Sequence, residues 1–387
     1  MSYAPGPSAV SVSSRRQRLV IGTYTEQLPH VAGQARGILA CSFEDGIVGP
    51  PTLLCDTRNP SWLTPASSGD RVYAVNETVE FDGNAGGGVT AFAFDARAGS
   101  MVVVNSRPSQ GAKPAHLALD SSERFLLVAN YGSGSIAVYR RRDDGGIGEI
   151  TSHVQHSGHG VRHDRQTGPH AHMIAVDPVT GLVLVPDLGL DAVFVYRLAD
   201  DGILRELEHA RIGTRPGAGP RHVAFHPDGR HLFLVNELDN TLVSLRRRDD
   251  VTFETVDTRS TLPVGHSGPS YAAAVRVSPS GGLVFASNRG FDSIAIFKFD
   301  RAAGRIELAA LAPTDGRGPR DFTLSPDGRF LIVANMDTNT LVTFALDEDV
   351  PRLTKVSVTD VFSPVCLQWL GHQAGEGDGS GPAWPAG

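Results

Sequence analysis

The chain is short of cysteine, of positive charge and of long apolar runs, and each shortage removes a class of protein. Only Cys41, Cys55 and Cys366 occur in 387 residues, and no two form a CxxC pair. An odd, scattered set supports neither a disulfide scaffold nor a zinc ribbon, and it suits a reducing compartment. Lys and Arg number 35 against 42 Asp and Glu, a formal net charge of −7. That balance offers no attraction for a phosphate backbone or an anionic bilayer, so neither nucleic acid nor membrane is expected as a partner. No apolar run approaches the ~18 residues of a membrane span. The opening MSYAPGPSAVSVSSRRQR lacks the apolar stretch of a secretory signal. A cytoplasmic protein is the expectation.

Three nucleotide and nucleophile signatures are also missing. No GxGxxG opens a helix after a strand, no GxxxxGK[ST] occurs, and GSGS at Gly132–Ser135 reads as a turn between strands. No cofactor is expected. No amphipathic stretch of helical period interrupts the chain.

What is abundant is turn residues, 43 Gly and 25 Pro, spread through a chain that is 41% hydrophobic. They punctuate a repeat. Similar segments begin at Pro60, Pro114, Pro169, Pro220, Pro269 and Pro319, spaced by 54, 55, 51, 49 and 50 residues. Each is an apolar strand, a turn such as Pro-Asp-Gly-Arg, and a second apolar strand ending in Asn or Asp. A third strand of alternating character follows, as in SIAVYRR (Ser135–Arg141) and SIAIFKF (Ser293–Phe299). Four strands every ~50 residues is the period of a β-propeller blade.

A seventh copy, SPVCLQWL around Pro364, stops after one strand. RLVIGTYT, RGILACSF and PPTLLCDT near the N-terminus supply the other three. The expectation is an all-β, seven-bladed β-propeller with four antiparallel strands per blade, the last blade closed by N- and C-terminal strands. Pairing the ends removes the free strand edges an open ring would leave. Residues 18–370 form this one domain; 1–17 and 371–387 read as disordered tails.

The hairpins place the chemistry. Arg221 lies eight residues before Gly229 and Glu237 eight after, so the two should face each other at the hairpin's open end. All the open ends meet at one face, around the central channel. The ring there includes Glu77, Asn130, Asp187, His222 and Arg320 beside Trp62, His116 and Tyr131. The recurring strand-end asparagines have a structural explanation, since Asn and Asp bond neighbouring backbone. Arg221, Glu237, Arg289, Arg320 and His172 do not recur in every blade, so the repeat itself does not require them. An ion-pair network that merely seals the channel is the alternative. Glu237, at the mouth, is expected to be partly hydrated.

Six of the 14 histidines fall between Thr151 and His172. Their spacing matches no strong metal motif. The stretch reads as a loop over the mouth that delivers Arg165, Gln166, His170 and His172, and no metal site is expected.

VANYGSGSIAVY, RQTGPHAH, VPDLGLDAVFVY, GAGPRHVAFHPDGRHLFLVNEL and GPRDFTLSPDGRFLIVAN resemble the seven-bladed propeller lactonases. That family includes propeller-type 6-phosphogluconolactonases and is related to fungal carboxy-muconate lactonizing enzymes. The resemblance implies a metal-independent site on one face, carbohydrate metabolism and the pentose phosphate pathway. From the muconate branch it implies a site of one His, one Glu and two Arg, which fall here on His172, Glu237, Arg221 and Arg289.

Lactone hydrolysis needs a base for water, donors for the oxyanion and an acid for the leaving oxygen. His172 or Glu237 would carry the proton, and Arg221, Arg289 and Arg320 would hold anionic groups. Three readings follow. One is a sugar-lactone hydrolase acting on a small anionic or sugar lactone. The second is a cycloisomerase closing a muconate-type dicarboxylate. The third is a non-catalytic propeller that binds a protein on its face, which would favour aromatic anchors over the charge seen here.

Overall fold

The computed structural model describes residues 17–29, 31–95 and 98–371. The tails expected to be disordered lie outside these, except at their inner edges: Gln17 already pairs with Phe43. Apart from one 3-10 turn at Glu208–Ala210, every regular element among the described residues is a β-strand.

Blade 4 shows the unit. Pro220–Phe225, His231–Asn236, Thr241–Arg247 and Phe253–Ser260 pair antiparallel in chain order, innermost strand first. Blades 1, 2, 5 and 6 repeat it, and blade 3 shortens its inner strand to Ala175–Val176. Blade 7 joins the two chain ends. Pro364–Trp369 pairs with Gln17–Thr23, setting Leu19 opposite Trp369 and Ile21 opposite Leu367. Gly37–Glu44 and Thr52–Asp56 complete that sheet. The innermost strands pack from blade to blade, with blade 4's meeting Leu182–Asp187 of blade 3 in place of the short Ala175–Val176, so the seven sheets close into a ring.

The core lies between blades, which is why the second strands are apolar throughout. His231–Asn236 is buried at every residue. Alternation sends Leu232 and Leu234 toward blade 3, against Leu182 and Leu184, and Phe233 and Val235 toward blade 5, against Val284 and Ala286. Each such side chain stabilises the ring by roughly 1.5–3 kcal/mol.

One irregularity recurs and shapes the site. In blade 4 Pro220 pairs with Asn236 and His222 with Val235, so Arg221 is an extra residue in a β-bulge. The expected direct pairing of Arg221 with Glu237 is therefore corrected: a bulge, not the ladder, brings them together. Register shifts fall at the same place in blades 2, 5, 6 and 7, leaving out Ala115, Arg320 and Val365 in three of them. A bulge re-aims a side chain and twists its strand. The residue before the lead proline makes the entry turn. Gly219 has φ +67, and a Cβ there would meet Leu238 Cγ at 2.5 Å. Its carbonyl accepts the Glu237 amide at 2.7 Å.

Candidate active site

Two tiers of side chains surround the channel mouth. The bulges of blades 4 and 6 contribute Arg221 and Arg320, and the equivalent positions of blades 1 and 3 contribute Ser61 and His172. The residue after each strand-end Asn contributes Glu77, Tyr131, Glu237, Arg289 and Met336. Tyr24 fills this second position in blade 7, where its amide bonds to the Ser363 carbonyl as that of Glu237 does to Gly219.

Glu237 is the hub, and it is buried, not hydrated as expected from its place at the mouth. Arg221 Nε donates to its Oε2 at 3.1 Å, and Arg289 reaches the same oxygen at 2.9 Å. Arg165 reaches Oε1 at 2.6 Å. Burial pushes the Glu237 carboxyl up, but Arg289, Arg221 and Arg165 outweigh it and hold it well below the usual carboxylate range. Burial, with Arg289 and Arg320 nearby, pulls the Arg221 guanidinium down from its ordinary value. A group that basic still stays charged at neutral pH. Arg221 also donates to the Ala273 carbonyl at 2.7 Å, tying blade 4 to blade 5.

His172 closes the site from blade 3, its ring centroid 5.3 Å from Tyr131 and 5.2 Å from His222. Burial, then the charge of Arg221, drives its pKa well below the ordinary imidazole value, so it is neutral at pH 7. The structure thus brings together His172, Glu237, Arg221 and Arg289. Arg320 stands opposite, its guanidinium 5.4 Å from the Tyr24 ring centre. It makes no hydrogen bond among the described residues. Glu77 accepts from the Tyr24 hydroxyl at 2.8 Å. His170 stacks on Tyr131 at 4.7 Å, and its Nδ1 lies 2.9 Å from the Tyr131 carbonyl, so it walls the mouth. His222 lies one residue deeper and takes an Arg221 N–H on Nε2 at 3.2 Å.

Three expected contact residues move into the scaffold. Gln166 is buried, and its amide bonds to Leu188 O and Asp191 Oδ1, both at 2.8 Å. It anchors the loop from which Arg165 projects. Asp187 spends its carboxylate on His156 at 2.6 Å and on the amides of His170 and Gly189. Asn130 gives its amide to Ser109 O at 3.0 Å, a latch that Asn288 and Asn335 repeat with Thr261 O and Thr314 O. The residue that sequence reasoning passed over is Tyr24. Aligning RLVIGTYT as a second strand puts Tyr24 at the Glu237 position, a signal that was available.

Among the described residues no group of three close His, Cys, Asp or Glu side chains sits at the mouth. Among the described residues the one group of three His, Cys, Asp or Glu side chains drawn close together is His226, Asp228 and His231. It lies in the turn at the opposite end of the blade 4 hairpin.

Comparison with known proteins identifies the family. The family described as Lactonase, 7-bladed beta-propeller, matches residues 18–369. A 6-phosphogluconolactonase of Bacillus subtilis is 32% identical over 357 residues, covering 91% of this chain and 98% of its own. One from Formosa agariphila is 30% identical over 346 residues, covering 87% and 95%. The periplasmic gluconolactonase PpgL of Pseudomonas aeruginosa superimposes with a TM-score of 0.85 at 31% identity, over 92% of this chain and 99% of that one.

Proposed function

This chain belongs to the seven-bladed β-propeller lactonase family and is a lactonase; on that premise we infer that it hydrolyses 6-phosphogluconolactone, without metal, through His172. The observation that carries the reading is the charge arrangement at the mouth. Four guanidiniums, of Arg165, Arg221, Arg289 and Arg320, face two carboxylates, of Glu237 and Glu77. The excess is positive, as a phosphorylated substrate requires. Arg221 is committed to Glu237 and Ala273, whereas Arg320 has its donors free, as does Arg289 at Nε.

Glu237, gripped by three guanidiniums, has lost most of its affinity for a proton. Its role is to aim them. His172 is neutral and accepts the proton as water attacks the lactone carbonyl. The oxyanion forms against the fixed charges of Arg289 and its neighbours, where one such donor contributes roughly 3–4 kcal/mol. As the carbonyl carbon to ring-oxygen bond breaks, the imidazolium returns the proton to that oxygen. The products are an aldonic acid, which loses its carboxyl proton to solvent, and one hydroxyl, and one water is consumed.

A cytoplasmic location and a place in the pentose phosphate pathway follow from this substrate, and the three free cysteines are compatible with a reducing compartment. No helix of the described residues is long and apolar enough to cross a membrane. The test is a panel of 6-phosphoglucono-δ-lactone, glucono-δ-lactone and a carboxy-muconate. We expect kcat/KM for the phosphorylated lactone to exceed that for its unphosphorylated analogue by about tenfold or more, one charge-assisted contact being about 1.4 kcal/mol or better. Equal rates would remove the phosphate from the proposal. Lactone formation from the muconate would turn the reading to cycloisomerisation.

A further inference from the structure

Beneath the arginines lies a second cluster that this chemistry leaves unused. Trp62, His116 and His222 occupy equivalent positions in blades 1, 2 and 4, one residue past the bulge in blades 2 and 4. They meet across the channel, with ring centroids 4.1 Å apart for Trp62 and His116, 5.6 Å for Trp62 and His222, and 5.8 Å for His116 and His222. His172 borders the cluster at 5.2 Å from His222, and Ser61 precedes Trp62. All five are more than nine-tenths buried.

Their polar atoms are nevertheless unmatched. Ser61 Oγ, both ring nitrogens of His116 and the Nδ1 atoms of His172 and His222 have no hydrogen-bond partner among the described residues. Leaving one buried polar atom unsatisfied costs about 1–3 kcal/mol. Other unmatched atoms include the strand-end Asn130, Asn236 and Asn335 Oδ1, which recur at one repeat position and belong to the architecture. Five in one place, from residue types that change from blade to blade, have no such explanation.

The protonation pattern defines what would fit. Burial first, then nearby guanidiniums, keeps His116 and His222 neutral. A guanidinium only donates, so His222 Nε2 accepts from Arg221 and its proton sits on Nδ1. The floor therefore offers an N–H at His222, one donor and one acceptor at His116, and a hydroxyl at Ser61. It carries no net charge. Hydroxyl groups, each able to donate and accept, complement that set; a bare hydrocarbon ring does not.

We propose that Ser61, His116 and His222 form a polyol subsite that binds the hydroxyl-bearing carbons of the substrate ring while the arginines above hold its anionic group. The proposal rests on the lactonase reading and adds a source of specificity to it. A site built to bond a hydroxyl rejects an analogue lacking one, because its own polar groups are then left unpaired.

The experiment compares an aldonolactone that the wild type turns over with δ-valerolactone, the same ring without hydroxyls. His116→Phe keeps a ring against Trp62 and removes both nitrogens. Ser61→Ala is the gentler variant and decides the matter where the first fails to fold. In each variant kcat/KM for the aldonolactone should fall about tenfold or more, while that for δ-valerolactone stays within about twofold. Where δ-valerolactone turns over too slowly to follow, its inhibition constant against the aldonolactone replaces kcat/KM in the ratio. Equal losses on both lactones, or no loss on either, overturn the subsite. A wild type that hydrolyses neither aldonolactone overturns the lactonase reading instead, before any variant is made.

Discussion

Blades 4 and 6 are built on nearly the same hairpin, GPRHVAFHPDGRHLFLVNEL and GPRDFTLSPDGRFLIVANMD, yet their bulge arginines meet different fates. Arg221 is buried and spends its donors on Glu237, His222 and Ala273. Arg320 is only partly buried and rests against Tyr24. The bulge is the same in both. What differs is the residue past the second strand, Glu237 in one blade and Met336 in the other. The following inner-strand residue does not compensate, because the Asp321 carboxylate is taken by Arg276 at 2.8 Å and by the Leu367 amide at 2.9 Å. The repeat thus supplies a position, and one neighbour decides whether an arginine there becomes part of the wall or a hand held out to a ligand.

The largest effect should come from unlocking blade 4. Glu237→Gln leaves three guanidiniums without their shared charge in a buried place. We expect a stability loss of roughly 3–5 kcal/mol, the cost of breaking a buried pair from one side, together with near-complete loss of turnover. Chemical denaturation and kcat on the same variant check it. Normal stability with low kcat would make Glu237 a proton carrier after all and remove the contrast between the blades.

The converse change locks blade 6. Met336→Glu gives Arg320 the partner that Arg221 already has. We expect KM for the phosphorylated lactone to rise about 10- to 100-fold with kcat changed less, as a charge-assisted contact to the ligand is lost. Arg320→Gln should reproduce that rise without altering the melting temperature. An unchanged KM in both variants would show that Arg320 does not face the substrate.

Acid should weaken the mouth and floor gradually, over pH units instead of at one step. His116, His172 and His222 have folded pKa values below the unfolded value of about 6.5. The unfolded chain therefore binds more protons as pH falls through that value. Stability is full above it and declines below, by up to about 1.4 kcal/mol per pH unit for each imidazole. Glu237, also depressed, adds to the loss below pH ~4.5. Denaturation midpoints between pH 7.5 and 4 should show the slope, and His116→Phe should reduce it by about a third. A flat profile from pH 7 to 5 would mean that these rings are not held neutral.

The smallest effect expected is from chelation. Exhaustive EDTA treatment should leave lactone turnover within about twofold, since fixed guanidiniums supply the positive charge that a metal would bring. Activity that vanishes and returns with zinc or calcium would direct attention to Glu77 and Glu237 as ligands.

Periodicity alone carried the architecture. Six lead prolines about fifty residues apart, a truncated seventh copy and three strands near the N-terminus determined seven blades and the pairing of the chain ends, because hairpin patterns and turns are local in sequence. The same logic picked out Arg221, Arg289, Arg320, Glu237 and His172 as departures from the repeat. Tertiary structure decided what each one does. No local pattern revealed that a bulge carries Arg221 off the ladder, or that Arg165 crosses from a loop before blade 3 to blade 4. The repeat itself gave Asn130 and Asp187 a structural explanation as recurring strand-end residues, whereas Gln166 is assigned to the scaffold only by Leu188 and Asp191, brought in from the neighbouring turn. Burial belongs to the same class. Glu237 looked partly hydrated at a strand end, and only the inward convergence of seven blades encloses it with three guanidiniums, whose charges together outweigh the effect of burial on its proton.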